Sequence, residues 1–298
     1  LGRHQYRLME LLLVHPLLSS AQLGAFLGVQ EVSVKQYLFA MRSLCCLETE
    51  QLVADPAMPR WRLSSHGLRL LALRHHIPLR TIAVQDKGQA HPYPVYTQKG
   101  IDQLRRNATQ TIGVYTFFTR LATGAVQHPG HRLLWWETGY AREQAYYVHS
   151  LPAWTWEKPH GIGEYQVGAQ RVRFWLEWHV HWNALQHLRQ TLEGYASSIR
   201  STEWRREGYV LPLLLLVCPD GGREWQIQQI IRETLGTLRP LPLVLTTTVE
   251  MLNVHDPLAP IWNLVSFTGR DRSTLRRTLY DMRVAEDILL DKVYANPE

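Results

Sequence analysis

Apolar residues recur at helical spacing through the first part of the chain. Residues 4–15 follow this pattern up to Pro16, which predicts a helix that ends there, because proline cannot continue the hydrogen-bond ladder. A second short helix is predicted between an N-cap at Ser20 and a terminating glycine at Gly28. Its inward-facing residues would be Leu23, Phe26 and Leu27.

A third helix is predicted over residues 31–44, directly after a tight turn that follows Gly28. Its buried face would comprise Val34, Leu38, Met41 and Leu44. Two short helices joined by a glycine-containing turn are typical of the helix-turn-helix motif. The pattern therefore predicts a helix pair whose second member lies on the surface that meets a partner.

Two short strands are predicted after the helix pair, at residues 46–54 and 60–64, around the turn "DPAMP". A closing helix follows at residues 65–76. Because a hairpin in this place corresponds to a wing, we interpret residues 1–77 as a winged-helix domain. Any three-helix domain could give a similar pattern, and some winged helices bind protein rather than DNA.

The pattern changes beyond residue 98, where helical stretches alternate with apolar strands. We interpret residues 78–98 as a linker and residues 99–298 as one α/β domain, so that the whole chain is α+β. The predicted helices lie at 97–125, 183–200, 224–235 and 271–294, and the predicted strands at 131–137, 145–149, 163–167, 172–178, 209–217 and 242–248. The strand at 209–217 is almost uniformly apolar, which indicates a sheet covered on both faces.

The charge is concentrated in the first third of the chain. Residues 1–110 contain 13 Lys and Arg against 7 Asp and Glu, whereas the remainder contains 19 of each. A basic N-terminal unit on a neutral body favours contact with a polyanion at the N-terminus. Together with the helix pair, this imbalance predicts a domain that binds double-stranded DNA.

The predicted DNA contacts fall on two elements. The second helix of the pair would enter the major groove, and residues on its outer side would reach base edges. Arg42 and the arginines of the wing would contact phosphate instead. The residues assigned to this surface are Ser33, Lys35, Gln36, Phe39, Arg42, Arg60 and Arg62, and Glu31 lies on the same outer side of the helix.

The cysteine content and the hydropathy pattern limit where the chain works. Three cysteines, of which Cys45 and Cys46 are adjacent, form neither a disulfide framework nor a zinc knuckle, so we expect a cytoplasmic protein. No apolar run is long enough to predict a membrane span, and no signal peptide is visible. The first residue is not Met, which suggests that the natural chain is longer.

An alternating row of polar residues occupies the predicted strand "VRFWLEWHVHW". Glu177, His179 and His181 would point to the same face of a strand, because side chains alternate. Carboxylate and imidazole groups bind transition metals such as Zn²⁺ or Mn²⁺. The row therefore predicts either a metal site, the remnant of one, or an ordinary strand face.

The second domain resembles the replication-relaxation family of plasmid and mobile-element proteins. The resemblance is carried by "LLWWETGYARE", "KPHGIGEYQV", "VRFWLEWHVHW", "LRQTLEGYASS", "LPLLLLV" and "DPLAPIWNL", which span roughly residues 97–264. The family is similar in fold to PD-(D/E)xK nucleases, in which two carboxylates hold a divalent metal and a polar group orients water. The resemblance implies a role in plasmid replication or DNA relaxation.

The nuclease motif is incomplete when it is carried onto this chain. Glu177 and Glu137 match carboxylate positions, and Pro159 matches the motif's proline. Three other polar positions of the family are occupied by His160, His179 and Thr191. Because Mg²⁺ requires oxygen ligands, the resemblance implies a domain without the usual metal-dependent nuclease activity and without a cofactor.

Two alternatives to this interpretation stay open at the level of sequence. The first is a metal-dependent nuclease in which His160, Glu177, His179 and His181 hold a transition metal. The second is a transcriptional regulator whose second domain serves dimerisation, with the predicted helix at 271–294 as a homodimer seam. In the main interpretation, the protein would act by recruiting other replication, conjugation or transposition proteins. No membrane partner is predicted.

Overall fold

A computed structural model describes residues 1–83, 96, 98–138, 144–148, 153–157, 159–179, 185–201, 212–238, 241–267 and 276–277. The chain forms two compact units. The first comprises Leu1–Thr123 with Glu137–Arg142, and the second comprises Gly124–Trp136 with Glu143–Glu298. Within the described part of the chain, no helix is long and apolar enough to cross a lipid bilayer.

The first unit begins with the element order of a winged helix. Its elements are α1 (Arg3–Val14), α2 (Ser20–Leu27), α3 (Glu31–Ser43), β1 (Leu47–Leu52), β2 (Asp55–Leu63) and α4 (Ser65–Arg74). The four helices bury a shared apolar core, which includes Leu8, Leu12, Leu23, Val34, Leu38, Met41 and Leu71. The predicted winged helix-turn-helix is therefore confirmed as a fold.

The helix boundaries follow from capping, with two corrections to the predictions. Ser19, rather than Ser20, is the N-cap of α2, and its hydroxyl accepts a hydrogen bond from the amide of Gln22. Gly28 ends α2 with φ of 66°, a left-handed conformation that glycine adopts without a steric penalty. Leu44 is 56% exposed rather than buried, because α3 ends at Ser43.

The wing is longer than predicted. The antiparallel strands β1 and β2 pair from Leu47 opposite Leu63 to Leu52 opposite Asp55. The segment "DPAMP" therefore belongs to β2, and the chain reverses at Val53 and Ala54. The wing is anchored at its base by a bridge between Leu18 and Trp61.

The boundary between the two units lies at Thr123 rather than at the predicted residue 98. Helices α5 (Leu79–Ala83), α6 (Gln98–Arg106) and most of α7 (Ala108–Gln127) lie in the first unit. The Tyr115 hydroxyl donates a hydrogen bond of 2.6 Å to the carbonyl of Pro16. Tyr96, inside the predicted linker, is buried and donates to the carbonyl of Leu63. These long-range contacts explain why the boundary differs from the predicted one.

Strands dominate the second unit. Its strands are β3 (His131–Thr138, whose last two residues belong to the first unit), β4 (Gln144–Val148), β5 (Ala153–Glu157), β6 (Gly161–Val167), β7 (Gln170–Trp178), β8 (Leu213–Cys218), β9 (Val244–Thr248), β10 (Trp262–Leu264) and β11 (Arg276–Arg277). Its helices are α8 (Leu185–Ser201), α9 (Gly221–Leu235) and α10 (Val249–Val254). The described residues therefore confirm a mixed α/β fold.

Seven of the described strands form one mixed sheet in the order β11-β10-β9-β8-β7-β6-β3. Strands β7, β8 and β9 are parallel, and β6 pairs antiparallel with β7. All six residues of β8 are buried, as expected for a central strand covered on both faces. One face packs against α8 and α9 through residues that include Trp175, Leu192, Tyr195, Leu214, Leu216 and Ile231.

The predicted C-terminal helix at 271–294 is corrected where it can be compared. Its two described residues, Arg276 and Arg277, form the short strand β11 and pair with Asn263 and Trp262. Pairing with β10 explains the extended backbone, because a sheet edge offers unpaired backbone groups. The remaining positions of the predicted helix, including the proposed dimer seam, lie outside the described residues.

Candidate functional site

The outer face of α3 is the candidate nucleic-acid surface. Because successive residues of a helix are rotated by about 100°, Val34, Leu38 and Met41 share one side, and all three are buried. The opposite side exposes Lys35, Gln36, Phe39 and Arg42 of the predicted contacts. Ser33 is half-buried at the edge of this face.

One prominent residue of this face was missed by sequence analysis. Val32 is 66% exposed and lies in the first turn of α3. It falls four residues before Gln36, which places both side chains on the same side of the helix. Helical spacing alone could have placed Val32 there, but its apolar character favoured a buried position.

A local ion pair moderates the charge of this surface. The Lys35 ammonium lies 2.9 Å from the Glu31 carboxylate, which also accepts a hydrogen bond from the Ser20 hydroxyl. These two hydrogen bonds, first that of Lys35 and then that of Ser20, hold the pKa of Glu31 below its ordinary value. Glu31 therefore carries its negative charge beside Lys35 at neutral pH.

The side chain of Arg60, a predicted phosphate contact, is buried within the protein. Its side chain is only 3% exposed, and its guanidinium donates to Asp55 at 2.6 Å and to Gln22 at 3.0 Å. A phosphate contact would require both bonds to open. The physical reason is the register of the wing, which directs Arg60 toward α2 rather than toward solvent.

Arg62 is also engaged within the protein. Its guanidinium lies 2.5 Å from Glu48 and 2.6 Å from Glu50, and 21% of the side chain is exposed. Glu50 in turn accepts a hydrogen bond from Arg105 of α6. The positive charge of Arg62 is therefore balanced by carboxylates of the wing. Through Glu50, the wing is also hydrogen-bonded to α6.

A second candidate site lies at the carboxyl end of β7. Glu177 is 2% exposed, His160 directly precedes β6, and His179 follows β7. Tyr195 reaches the cluster from α8, and its ring packs 4.8 Å from Trp175. The parallel ladder continues beyond β7, because the His179 amide donates to the carbonyl of Val217 at 2.9 Å.

Both oxygens of the Glu177 carboxylate have contacts inside the protein. Oε1 accepts a short hydrogen bond from the Tyr195 hydroxyl. Oε2 lies 2.8 Å from Nδ1 of His160 and 3.7 Å from Nε2 of His179. The rings of His160 and His179 meet edge to face, with centroids 5.8 Å apart. One buried carboxylate thus gathers two imidazoles and a phenol.

The His160 ring completes the edge of the sheet where β6 begins. Its Nδ1 lies 2.9 Å from the amide nitrogen of Trp178, which donates to it. A deprotonated Nδ1 accepts from this amide, whereas a protonated Nδ1 donates to Glu177. The tautomer of the ring therefore decides whether Nδ1 accepts from the backbone amide or donates to the Glu177 carboxylate.

The pKa of Glu177 is lowered from its ordinary value of 4.5. Burial is the largest single influence and raises this pKa, but the charge and hydrogen bond of His160, the charge of His179 and the hydrogen bond of Tyr195 together outweigh it. The buried carboxylate therefore stays ionised at neutral pH, held by its neighbours.

The residues present do not fit the divalent metal of a PD-(D/E)xK site. Glu177 is a single carboxylate, and its two oxygens already contact Tyr195 and His160. Thr191 is half-buried on α8, one turn before Tyr195, and supplies no positive charge. Glu137 belongs to the first unit. Hard-cation chemistry would need more oxygen ligands than this cluster offers.

Three of the four residues predicted to hold a transition metal, His160, Glu177 and His179, are among the described residues. Among the described residues, no group of three or more His, Cys, Asp or Glu has a geometry that could hold a metal ion. His181, the fourth predicted ligand, lies outside them.

No family model matches the chain, and no curated protein matches it. Among solved structures, the chain is similar to the adhesin competence repressor AdcR from Streptococcus pyogenes (16% identity, TM-score 0.24, 26% of this chain and 55% of that one). It is also similar to the PcaV transcriptional regulator from Streptomyces coelicolor (20% identity, TM-score 0.24, 26% and 56%). A third is FabT from Streptococcus pneumoniae, solved in complex with DNA (14% identity, TM-score 0.25, 40% and 76%).

The match spans about half the length of the first two of these regulators. The class that the element order itself defines is a winged helix-turn-helix unit followed by a mixed-sheet α/β unit.

Proposed function

We propose that this protein binds double-stranded DNA through its winged helix, with α3 in the major groove. The observation that carries the proposal is the division of α3 into a fully buried face and an opposite exposed face. The exposed face combines hydrogen-bonding, cationic and apolar side chains, as an element that reads base edges requires. The excess of basic residues in the first third of the chain supports the same partner.

We further propose that the protein serves a plasmid or mobile element, in replication, DNA relaxation or the recruitment of partner machinery. The support is the resemblance of the second unit to the replication-relaxation family. In this proposal the second unit is a PD-(D/E)xK-like domain that has lost its chemistry. The closed contacts of Glu177 favour that role, since a carboxylate bound to Tyr195 and His160 is a structural group.

The DNA-binding proposal predicts a specific loss of affinity when the groove face is truncated. Replacing Lys35 and Gln36 together by alanine should weaken binding to the preferred duplex by about 10- to 100-fold, as expected for one lost base contact and its neighbouring charge. Fluorescence-anisotropy titration at fixed salt measures the change.

A matched control is available on α6 of the same unit. Lys99 and Gln103 are the same residue types, lie four positions apart rather than adjacent, and are both exposed. Their double alanine variant should keep the affinity of the unaltered protein. Equal affinities for all three proteins, with intact circular dichroism spectra, would remove α3 as the element that reads DNA.

One alternative function for the second unit has the right residue types, although no group among the described residues could hold a metal ion. Nδ1 of His160 and Nε2 of His179 converge on the same oxygen of Glu177. These are the ligand types of a transition-metal nuclease, which is the alternative function for the second unit. A transcriptional regulator would use the same DNA contact as the main proposal and would differ in what the second unit binds.

A further inference from the structure

The exposed face of α3 has a line of three side chains along its centre, of which two are apolar. Val32, Gln36 and Phe39 are spaced at four and three residues, so their side chains follow one another along the helix. Val32 is 66% exposed and Phe39 is 56% exposed. The cations Lys35 and Arg42 are seven residues apart and therefore lie together on one side of this line.

The two apolar side chains differ in what the protein already does with them. The Phe39 ring meets Trp61 of the wing edge to face, at 5.9 Å and 87°, which fixes its position. Val32 has no ring and lies in the first turn of α3. In a helix-turn-helix protein the first turns of this helix meet the base edges.

The chemistry of the major groove then restricts what Val32 can recognise. A valine side chain neither donates nor accepts hydrogen bonds, so it cannot use the polar pattern of a base pair. The only apolar group that an unmodified base presents in the major groove is the C5 methyl of thymine. Gln36, one turn away, has the amide that pairs with adenine through N6 and N7.

We propose that Val32 reads the C5 methyl group of thymine, so that the first turn of α3 selects an A·T base pair. This inference rests on the proposed DNA binding and names the base chemistry that the groove face prefers. Scattered apolar residues are common on protein surfaces. Val32 differs because it shares its line with Gln36 on the face opposite the helix core.

The experiment isolates a single methyl group. Duplexes that bind the full chain are selected from a randomised pool, and each thymidine of the winning duplex is replaced in turn by deoxyuridine. This change removes only the C5 methyl. At one position the affinity should fall about fourfold, since burying one methyl-sized group is worth roughly that ratio. The variant Val32→Ala should bind thymidine and deoxyuridine duplexes equally at that position.

The control is Val53→Ala, which makes the same change at the tip of the wing. Val53 is 95% exposed and lies away from α3, so its variant should keep the fourfold preference for thymidine. A winning duplex that tolerates deoxyuridine at every position overturns the inference and leaves DNA binding intact. Loss of the preference in Val53→Ala, or its persistence in Val32→Ala, also overturns it. A pool that yields no bound duplex overturns the DNA-binding proposal itself.

Discussion

At the scale of single residues, Glu177 shows how a buried charge can be retained for structure. Its carboxylate is almost fully enclosed, yet both oxygens have polar contacts and its pKa is held down by His160, His179 and Tyr195 against the effect of burial. Removing one member of such a group is expensive, because the remaining members stay buried without their partner.

We expect Glu177→Ala to lower the free energy of unfolding of the second unit by about 3 kcal/mol, since it leaves Tyr195 and His160 without their acceptor. Glu177→Gln should cost about 1 kcal/mol, because its amide oxygen still accepts from the Tyr195 hydroxyl. Urea unfolding followed by tryptophan fluorescence measures both, with Trp175 as a probe beside Tyr195. Equal costs for the two variants would contradict the hydrogen-bond account.

The lowered pKa of Glu177 also sets the direction of a pH effect. A carboxyl group whose folded pKa lies below its ordinary value of 4.5 contributes stability that is present above pH 4.5 and is lost as the pH falls through the folded value. The difference in stability between the unaltered protein and Glu177→Gln should therefore shrink in acid below pH 4.5.

At the scale of elements, the wing and α3 differ in how their cationic side chains are engaged. The wing arginines are satisfied within the protein, by Asp55, Gln22, Glu48 and Glu50. On α3, Lys35 pairs only with Glu31 of its own helix, and Arg42 is exposed. Contact with DNA should therefore depend on the helix far more than on the wing.

This division predicts opposite outcomes for two arginine substitutions. Arg60→Ala should lower stability by about 3 kcal/mol, because it leaves Asp55 and Gln22 without their partner, and should leave the salt dependence of DNA binding unchanged. Arg42→Ala should have little effect on stability and should reduce the slope of log affinity against log salt by about 0.9, the effect of one lost phosphate contact. Chemical unfolding and anisotropy titrations at several salt concentrations measure the two quantities.

The two variants serve as controls for each other, since each removes one guanidinium from the same unit. A reduced salt slope in a stably folded Arg60→Ala protein would mean that the guanidinium leaves Asp55 to reach phosphate, and would restore the wing as a DNA contact.

At the scale of the whole molecule, we expect the first unit to bind DNA and the second unit to have no nuclease activity. We expect neither Mg²⁺ nor Mn²⁺ to support cleavage of supercoiled or linear DNA beyond buffer controls, because one strand carboxylate cannot both hold a hard cation and orient water. Glu177→Ala should leave duplex affinity unchanged at temperatures where both units are folded. Agarose-gel and anisotropy assays on the same preparations measure the two outcomes.

The transition-metal alternative predicts a different pattern of DNA cleavage. Cleavage that appears with Mn²⁺ or Zn²⁺ and disappears in both Glu177→Ala and His179→Ala would establish an active His-containing site. Cleavage that persists in both variants would instead indicate a contaminating nuclease.

The sequence by itself determined the elements whose signals are local. The inner face of α3, with Val34, Leu38 and Met41, follows from helical spacing, and the termination of α2 at Gly28 follows from the conformational freedom of glycine. The buried central strand β8 follows from an unbroken apolar run. Each of these signals lies within a few residues, where covalent geometry relates spacing to direction.

Only the tertiary structure decided which distant groups meet. Arg60 is withdrawn from solvent by Gln22, which lies 38 positions away in sequence. The Tyr115 hydroxyl bonds to the carbonyl of Pro16 across 99 positions and joins α7 to the first unit. The Glu177 carboxylate is closed by Tyr195 from a helix beyond its own strand. Spacing reveals which side chains share a face, whereas the partner of each polar group depends on the path of the whole chain, and that path follows from the collective burial of apolar surface.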